Sequence, residues 1–245
     1  MPPRGDSMSD VIETDRIERL GAMTLFEGLK EADIRAIAEL CHFEEAQRGA
    51  VILAPGSASR DIYFVLKGRV RIVNFSLSGR EVAYATAAPG DFFGELSAID
   101  GEPRSATVAA LERCELAVLP SEALIETMMR HPDVAIRICR KLARIVRISD
   151  ERIMDLATLS AYQRVYGELL KLVKADPVRP NSWLIYPLPT QASIAALAST
   201  TRETVARVIG QLVHSGLAER KGRTLYVRDL GKLRELGERL RAERE

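Results

Sequence analysis

The segment Phe93–Val108, FGELSAIDGEPRSATV, places a carboxylate and a guanidinium nine residues apart in a stretch rich in Gly, Ser and Ala. A carboxylate accepts hydrogen bonds from sugar hydroxyls, and an arginine binds a phosphate with a fork of N–H donors. Glu95, Arg104 and Ser105, with Gly94 allowing close approach of the backbone, are therefore suited to hold a sugar phosphate. A salt bridge between Glu95 and Arg104 across a turn explains the same residues about equally well, and the segment alone leaves both interpretations open.

A second group of candidate residues lies on two short predicted helices, TQASIAALAS and RETVARVIGQLVHSG, joined by Thr200-Thr201. Thr190 is suited to cap the first helix, whose packing face we expect to consist of Ile194, Ala195 and Leu197. A helix, a tight turn and a second helix form the arrangement that places one helix in the major groove of DNA. The segment LAERKGRTLYVRD follows as a predicted hairpin with its turn at Lys221-Gly222.

The second of these helices carries the residue types that read base pairs. Apolar residues at helical spacing point inward, which leaves five side chains exposed at its N-terminal end: Thr201, Arg202, Glu203, Thr204 and Arg207. Arginine donates two bonds to guanine and glutamate accepts from cytosine, so Arg202, Glu203 and Arg207 are candidate base readers. Thr190, Thr201 and Lys221 are candidates for phosphate contacts. The alternative is that these charged residues form an ordinary solvated helix face. That alternative does not account for the adjoining hairpin or for the excess of Lys and Arg over Asp and Glu in this part of the chain.

A long predicted helix, DVAIRICRKLARIVRISDERIMDLATL, separates the two groups. Residues spaced alternately four and three apart form a coiled-coil seam: Leu142, Val146, Ser149, Ile153 and Leu156. So narrow a seam favours pairing with a second copy in a two-fold dimer. The polar Ser149 either bonds back to its own helix or faces a partner at the interface.

Residues from about Glu44 to Leu119 form short β-rich runs separated by Gly, Pro, Ser and Asp, which indicates a sandwich or barrel. Lys67-Gly68 and Leu77-Gly79 are the predicted hairpin turns. Two helical segments precede this region, and a charged helix with Leu on one side follows the C-terminal hairpin. The helix before the Pro-rich stretch at 177–189 is expected to end at about Ala175.

Composition narrows the class of protein. The 245 residues are 47% hydrophobic and 28% charged, as in a globular protein of one large or two ordinary domains. No apolar run approaches the ~20 residues that cross a membrane, and the start MPPRGDSMSDVIETD lacks a signal-peptide core, so we expect a cytoplasmic protein. The scattered cysteines and histidines predict neither disulfides nor a metal site.

Charge is divided unevenly along the chain. Residues 160–245 hold 15 Lys and Arg against 9 Asp and Glu, whereas the rest holds 20 against 25. The surplus of six positive charges in the C-terminal third is what binding to a polyanion requires. Uneven surface charge without such a partner explains the numbers equally well when they are taken alone.

From about Leu25 to Val227 the sequence resembles the cyclic-AMP receptor protein and fumarate-nitrate regulator (Crp/Fnr) superfamily of bacterial transcription factors. FGEL…DGEPRSATV is similar to its phosphate-binding cassette, and TTRETVARVIGQL to its recognition helix. The resemblance implies an α+β fold with a jelly-roll-like β-roll, a long dimerisation helix and a winged helix-turn-helix domain. The implied divisions are 1–24, an N-terminal extension; 25–130, the β-roll; 131–159, the dimerisation helix; 160–230, the DNA-binding domain; and 231–245, a helical tail.

The resemblance also assigns roles in the cassette. Glu95 is expected at the ribose hydroxyl, Arg104 and Ser105 at the cyclic phosphate, and Gly94 and Leu96 in the pocket wall. Ser149 falls where a hydroxyl of the long helix touches the purine. The next position, which supplies a second hydroxyl in cyclic-AMP receptors, is Asp150 in this chain, and that departure leaves the identity of the base open.

The function implied is that of a homodimeric regulator controlled allosterically by a cyclic nucleotide, with cyclic AMP expected and cyclic GMP or cyclic di-GMP as alternatives. A same-fold regulator that responds to another effector or to none is the wider alternative. The expected partners are a palindromic DNA site with half-sites resembling TGTGA, a second copy of the chain and RNA polymerase. Neither an enzyme, a metal site, an iron–sulfur cluster nor a prosthetic group is expected. The predicted helix-turn-helix argues against a kinase regulatory subunit or a channel.

Overall fold

The computed structural model describes residues 8–76, 79, 81–179 and 182–242. They form two compact units. One comprises the chain up to Asn74 together with Tyr84–Ile145, and the other comprises Phe75–Ala83 and the chain from Val146 onward. No helix in the described ranges has the length and apolar character needed to cross a membrane.

The first unit contains two four-stranded sheets, apart from Phe75 and Glu81–Ala83, which belong to the second unit. In chain order the strands are β1 (His42–Ala46), β2 (Val51–Leu53), β3 (Ile62–Lys67), β4 (Val70–Phe75), β5 (Glu81–Ala87), β6 (Phe92–Phe93), β7 (Thr107–Ala110) and β8 (Cys114–Leu119). One sheet has the order β1-β8-β3-β6 and the other β2-β7-β4-β5. This arrangement agrees with the predicted β-roll, in which sequence-distant strands pair.

Strand β3 illustrates why these segments form strands. Five of its six residues, Ile62–Leu66, are buried, and four of these five are β-branched or aromatic, the types that favour strands packed between two layers. The turn predicted at Lys67-Gly68 is confirmed, because Gly68 adopts φ +81° and a Cβ there would clash with the Arg113 carbonyl. At the second predicted turn, Leu77 and Ser78 lie outside the described residues.

Helices pack around these sheets. They are α1 (Met8–Gly21), a 3-10 turn (Thr24–Phe26), α2 (Glu31–Leu40), α3 (Glu95–Asp100), α4 (Ser121–Arg130) and the start of α5 (Pro132–Thr158). Val134 and Ile138 of α5 are buried with Phe26, Phe64 and Leu124 in one apolar core. The prediction of a single long helix after the β-rich region is confirmed by the 27 residues of α5.

The second unit contains α6 (Ala161–Leu172), β9 (Lys174–Ala175), β10 (Trp183–Ile185), α7 (Gln191–Leu197), α8 (Arg202–His214), β11 (Ala218–Lys221), β12 (Thr224–Val227) and α9 (Leu230–Ala242). Ser160 starts α6 with a capping box to Gln163. The expectation that this helix runs to about Ala175 is wrong. Lys174 and Ala175 instead pair as a strand with Leu184 and Trp183, which removes them from the helix.

The C-terminal helix α9 belongs to the core of the second unit. Leu233 is buried among the residues of that core, and Leu236 packs against it. Gly237 lies close to Leu170 of α6: a Cβ at Gly237 would be 3.5 Å from Leu170 Cδ1. The Leu-bearing side of the predicted tail therefore completes the apolar core.

Candidate functional site

Arg104 is held in place first by its backbone. Its amide donates to the Ser57 carbonyl at 3.1 Å, and its carbonyl accepts from the Gly56 amide at 2.8 Å. These bonds fix the residue at the end of an irregular stretch, just before β7. Arg104 is 4% exposed, so its cationic side chain lies inside the first unit.

The Arg104 guanidinium donates to three neutral oxygens: Nε to Ser59 Oγ at 3.1 Å, Nη1 to the Gly94 carbonyl at 2.9 Å and Nη2 to the Asp61 carbonyl at 2.6 Å. A guanidinium has five N–H groups, so two remain for an anion. Burial lowers the pKa of Arg104, and Tyr63, Asp61 and Glu95 oppose that change. The structure thus presents a preorganised, partly desolvated cation.

Gly94 brings the two halves of the cassette together. Its φ of +84° lies in the left-handed region, and it begins α3, because its carbonyl accepts from the Ala98 amide at 3.2 Å. The backbone N–H groups of residues 95–97 precede this first helical bond and so have no acceptor within the helix. A side chain at Gly94 would place its Cβ 2.7 Å from Arg104 Nη1.

Glu95 pairs with a residue that the sequence analysis missed. Its Oε2 lies 3.5 Å from Lys141 Nζ of α5, and Glu95 is 6% exposed. In the part of the chain that the structure describes, the ion pair of Glu95 is with Lys141, while Arg104 donates to neutral oxygens. A salt bridge between Glu95 and Arg104, the alternative interpretation of the segment, is therefore not formed.

Glu95, Arg104 and Ser105 line one cavity. It measures about 80 Å³, and its walls are completed by Gly94 and Leu96 with six further residues, four of them on strands: Leu53, Ile72, Phe93 and Val108, together with Ser97 of α3 and Ala106 just before β7. Pockets for whole drug-sized ligands measure roughly 300–1,000 Å³. This volume suits an anionic group and part of a sugar, with the rest of a larger ligand lying outside. Ser105 and Leu96 are exposed at its edge.

Ser149 and Asp150, the remaining residues predicted to contact the ligand, lie on α5 and are exposed. The roles assigned to them remain predictions. In the described ranges no group of three or more His, Cys, Asp or Glu side chains is arranged to hold a metal ion.

The predicted helix-turn-helix is formed by α7 and α8. Thr190 caps α7, since its hydroxyl accepts from the Ser193 amide at 3.1 Å, and Thr201 caps α8 by accepting from the Thr204 amide at 3.3 Å. Each hydroxyl also lies within hydrogen-bond distance of a neighbouring hydroxyl, 2.8 Å from Ser193 Oγ for Thr190 and 3.2 Å from Thr204 Oγ1 for Thr201. A phosphate would have to share or replace these bonds, and the predicted phosphate contacts stay predictions. The predicted inward face of α8 is confirmed by four buried residues: Val205, Val208, Ile209 and Leu212.

The prediction that Leu197 lies on the packing face of the first helix is wrong. Leu197 is 38% exposed, whereas Ala196 and Ala198 are buried beside Ile194 and Ala195. Leu197 is the last residue of α7, and the packed side of the final turn is formed by the alanines around it.

The candidate base readers Arg202, Glu203 and Arg207 are all exposed in the first half of α8, and Thr204 is half-buried. A hydrogen bond from its own backbone amide, and then one from Thr201, lowers the pKa of Glu203. Its carboxylate is therefore ready to accept hydrogen bonds.

The predicted hairpin is formed by β11 and β12, and Lys221 at its turn is exposed. Lys221 Nζ lies 2.9 Å from Glu219 Oε1, and Arg228 Nη2 lies 2.9 Å from Glu219 Oε2. Hydrogen bonds from Arg228 and Lys221 lower the pKa of Glu219 to about 2. A phosphate contact by Lys221 must therefore compete with this carboxylate.

Two arginines that the sequence analysis did not single out fix the turn between α7 and α8. Arg164 Nε donates to the Ala198 carbonyl at 2.9 Å, and its Nη1 donates to the Leu159 carbonyl at 2.7 Å. Arg152 Nη2 donates to Ser199 Oγ at 2.8 Å. Ser199 has φ +50°, unusual for a residue with a side chain, so these bonds stabilise a strained turn.

Comparison with known proteins matches both regions. Residues 43–131 match the model of the cyclic nucleotide-binding domain, and residues 163–236 match that of the Crp-like helix-turn-helix domain. A CRP-like cAMP-activated global transcriptional regulator of Mycobacterium tuberculosis is 26% identical over 217 residues, covering 88% of this chain and 97% of the relative. The Cyclic AMP receptor protein of Thermus thermophilus is 32% identical over 212 residues, covering 86% of this chain and 95% of that protein.

The chain belongs to the Crp/Fnr superfamily. Among solved structures, the c-di-GMP responsive global regulator CLP of Xanthomonas campestris covers 82% of this chain and 100% of its own, with 22% identity and a TM-score of 0.70, and has the same fold. The predicted α+β architecture is thereby confirmed. This Crp/Fnr chain is a transcription regulator with a cyclic nucleotide-binding domain and a DNA-binding helix-turn-helix, and its relatives are regulators rather than enzymes.

Proposed function

We propose that the chain acts as a homodimer whose affinity for DNA is controlled by a cyclic nucleotide, cyclic AMP, held in the cavity around Arg104. One observation carries this proposal: a buried guanidinium with unused donors and a buried carboxylate line the same small cavity. A cyclic nucleotide offers a singly charged phosphate for Arg104 and Ser105 and one free ribose hydroxyl for Glu95. Neither group is positioned for covalent chemistry, which suits binding and release.

The experiment is calorimetric titration of the protein with cyclic AMP, cyclic GMP and cyclic di-GMP. Arg104→Ala should weaken binding of the preferred nucleotide by at least about tenfold, since it removes the charged donor. Arg113→Ala, at an exposed arginine of the same unit paired with Glu45, is the matched control and should bind normally. Because Arg104 also supports its own loop, Ser105→Ala at an exposed position provides a second variant. Absence of binding to all three nucleotides by the wild type would overturn the proposal.

The dimer is supported by the exposed apolar seam of α5. Val146, Ile153 and Leu156 are 58%, 63% and 46% exposed in the single chain. A patch of this kind on a soluble protein marks an interaction surface. A two-fold dimer joined through this seam also provides the two recognition helices that a palindromic site requires, spaced by about one turn of DNA, ~34 Å.

For DNA we propose that Arg202, Glu203 and Arg207 read bases in half-sites resembling TGTGA. Thr190, Thr201 and Lys221 contact phosphates, and Thr204 lies near the DNA backbone. Fluorescence anisotropy with a labelled palindrome of two such half-sites, and with a scrambled duplex, tests this. Cyclic AMP should raise affinity for the palindrome, and by linkage the palindrome should raise affinity for cyclic AMP by the same factor. Recruitment of RNA polymerase is the proposed consequence of such binding.

The sequence of α5 favours cyclic di-GMP as the alternative effector. Asp150, beside Ser149 on α5, is acidic where cyclic-AMP receptors have a hydroxyl, and the CLP regulator of the same fold is described as c-di-GMP responsive. If cyclic di-GMP binds more tightly than cyclic AMP in the titration, the regulator responds to that nucleotide instead. Ser149→Ala and Asp150→Ser then show which residue of α5 contributes to the choice.

A further inference from the structure

Lys141 occupies an unexpected place on α5. It follows Val134 and Ile138 at helical spacing, on the side of the helix that those two residues bury in the core. A lysine on this row brings its ammonium group against the first unit. Its Nζ donates to the Phe92 carbonyl and lies 3.6 Å from the centre of the Phe92 ring.

The same ammonium group lies 3.5 Å from Glu95 Oε2. The Glu95 side chain is 8% exposed and that of Lys141 28% exposed, so the pair is largely desolvated. Burial lowers the pKa of Lys141, and Glu95 and then Asp91 oppose that change. A buried charge is destabilising without a partner, and Lys141 is the cationic partner of the buried Glu95 carboxylate.

Glu95 lines the cavity, whereas Lys141 is absent from the described residues that line it. Lys141 therefore acts on a ligand through Glu95. It binds one carboxylate oxygen, Oε2, which leaves Oε1 to accept from a ligand hydroxyl. The bond to the Phe92 carbonyl fixes the ammonium group at the start of β6, two residues before Gly94.

From this geometry we infer that Lys141 is a positioning residue that sets how strongly Glu95 accepts the ribose hydroxyl, and so determines discrimination between ribose and 2′-deoxyribose. The inference rests on the proposed function. In a 3′,5′-cyclic nucleotide the 2′-hydroxyl is the free hydroxyl of the sugar, so its removal deletes the hydrogen bond that Glu95 accepts. A hydrogen bond to a carboxylate is charge-assisted and depends on the orientation of the acceptor. The contacts of Lys141 with Glu95 Oε2 and with the Phe92 carbonyl hold that carboxylate in place.

The experiment measures affinities of cyclic AMP and 2′-deoxy cyclic AMP by calorimetry for the wild type and for Lys141→Met, which keeps the apolar stem. The wild type should prefer the ribonucleotide by about tenfold or more, as expected for a hydrogen bond to a charged group. Lys141→Met should weaken the binding of cyclic AMP by a similar factor. Its affinity for the deoxy analogue should stay within about twofold of the wild-type value, so that discrimination between the two nucleotides is lost. Lys141→Arg, which keeps the positive charge, should retain part of the preference for cyclic AMP that Lys141→Met loses.

Lys171→Met is the matched control, because Lys171 also pairs with a glutamate, Glu168 at 2.7 Å, but in the second unit. It should leave both affinities unchanged. Equal weakening of both nucleotides by Lys141→Met would show a purely structural role and overturn the inference, as would unchanged discrimination. A wild type that binds neither nucleotide would overturn the proposed function and this inference together, an outcome distinct from the other two.

Discussion

The carbonyl oxygen of Gly94 accepts a hydrogen bond of 2.9 Å from Arg104 Nη1, and the guanidinium occupies the space where a side chain of residue 94 would begin. This relationship joins the first turn of α3 to the arginine ten residues later. The absence of a Cβ at Gly94 permits both the left-handed backbone and the close approach of the guanidinium.

Gly94→Ala should therefore disrupt the cassette. The φ of +84° alone costs an alanine about 1–2 kcal/mol, and its Cβ would lie 2.7 Å from Arg104 Nη1 and 3.0 Å from the Asp61 carbonyl. We expect a further loss of about 1–3 kcal/mol from this overpacking, with loss of nucleotide binding. Denaturant unfolding followed by circular dichroism measures the loss of stability.

Gly90→Ala is the control for backbone strain. Gly90 has a similar φ of +93°, but its added Cβ would meet no atom within 4 Å. The free energy of unfolding of Gly90→Ala should fall by only about 1–2 kcal/mol, the cost of placing alanine in this backbone conformation. Nucleotide binding should be retained. If the two variants are equally stable and bind equally well, the packing of Arg104 against Gly94 has no role in the site.

The α5 seam predicts a second pair of variants. Ile153 and Met154 are neighbours with nearly equal exposure, 63% and 60%, but only Ile153 lies on the seam. Ile153→Glu should place two like charges face to face in a dimer and dissociate it, whereas Met154→Glu should leave it intact. Sedimentation equilibrium gives the mass of each. Dissociation by both variants, or by neither, would contradict pairing through this seam.

The recognition helix and the hairpin should differ in how they affect DNA binding. Arg202→Ala should cost about 1–3 kcal/mol on the preferred site and relax selectivity at one base pair. Lys221→Ala should weaken binding to all duplexes and reduce the salt slope by at most about 1, because Glu219 already holds part of its charge. Anisotropy titrations over a range of salt concentrations separate these effects. Loss of selectivity in Lys221→Ala would reverse the assignment.

Local structure could be predicted from the sequence wherever a residue type has one strong conformational preference. Gly68 permits a hairpin turn, Thr190 and Thr201 cap helices, and the alternating strands and the long helix follow from residue periodicity. Glu95 and Arg104 were recognisable as candidates, but the segment alone left a salt bridge between them equally open, and only the structure shows that both line one cavity.

The contacts that hold these residues in place could not be predicted, because they join positions distant in sequence. Arg104 donates to Ser59 and Asp61, and Glu95 pairs with Lys141 46 residues later. A signal was available for Lys141, since it follows Val134 and Ile138 on a row that should be apolar. Arg152 and Arg164 carry no comparable signal, because arginines are common on exposed helix faces.

Arg164 provides the last prediction, on the stability of the second unit. Its guanidinium donates to the carbonyls of Leu159 and Ala198, at 2.7 and 2.9 Å, and so connects the start of α6 to the end of α7. Arg164→Lys keeps the charge but cannot reach both carbonyls with one ammonium group. It should lower the free energy of unfolding of this unit by about 1–3 kcal/mol and weaken DNA binding, because the turn before α8 is then less well fixed.

Trp183, the single tryptophan of the chain, lies on β10 and packs against the core of the second unit, so its fluorescence during urea unfolding reports on that unit. Arg234→Lys, at an exposed arginine of α9, is the matched control and should change the unfolding free energy by less than about 0.5 kcal/mol. An Arg164→Lys protein that unfolds like the wild type would show that these two carbonyl bonds do not stabilise the turn.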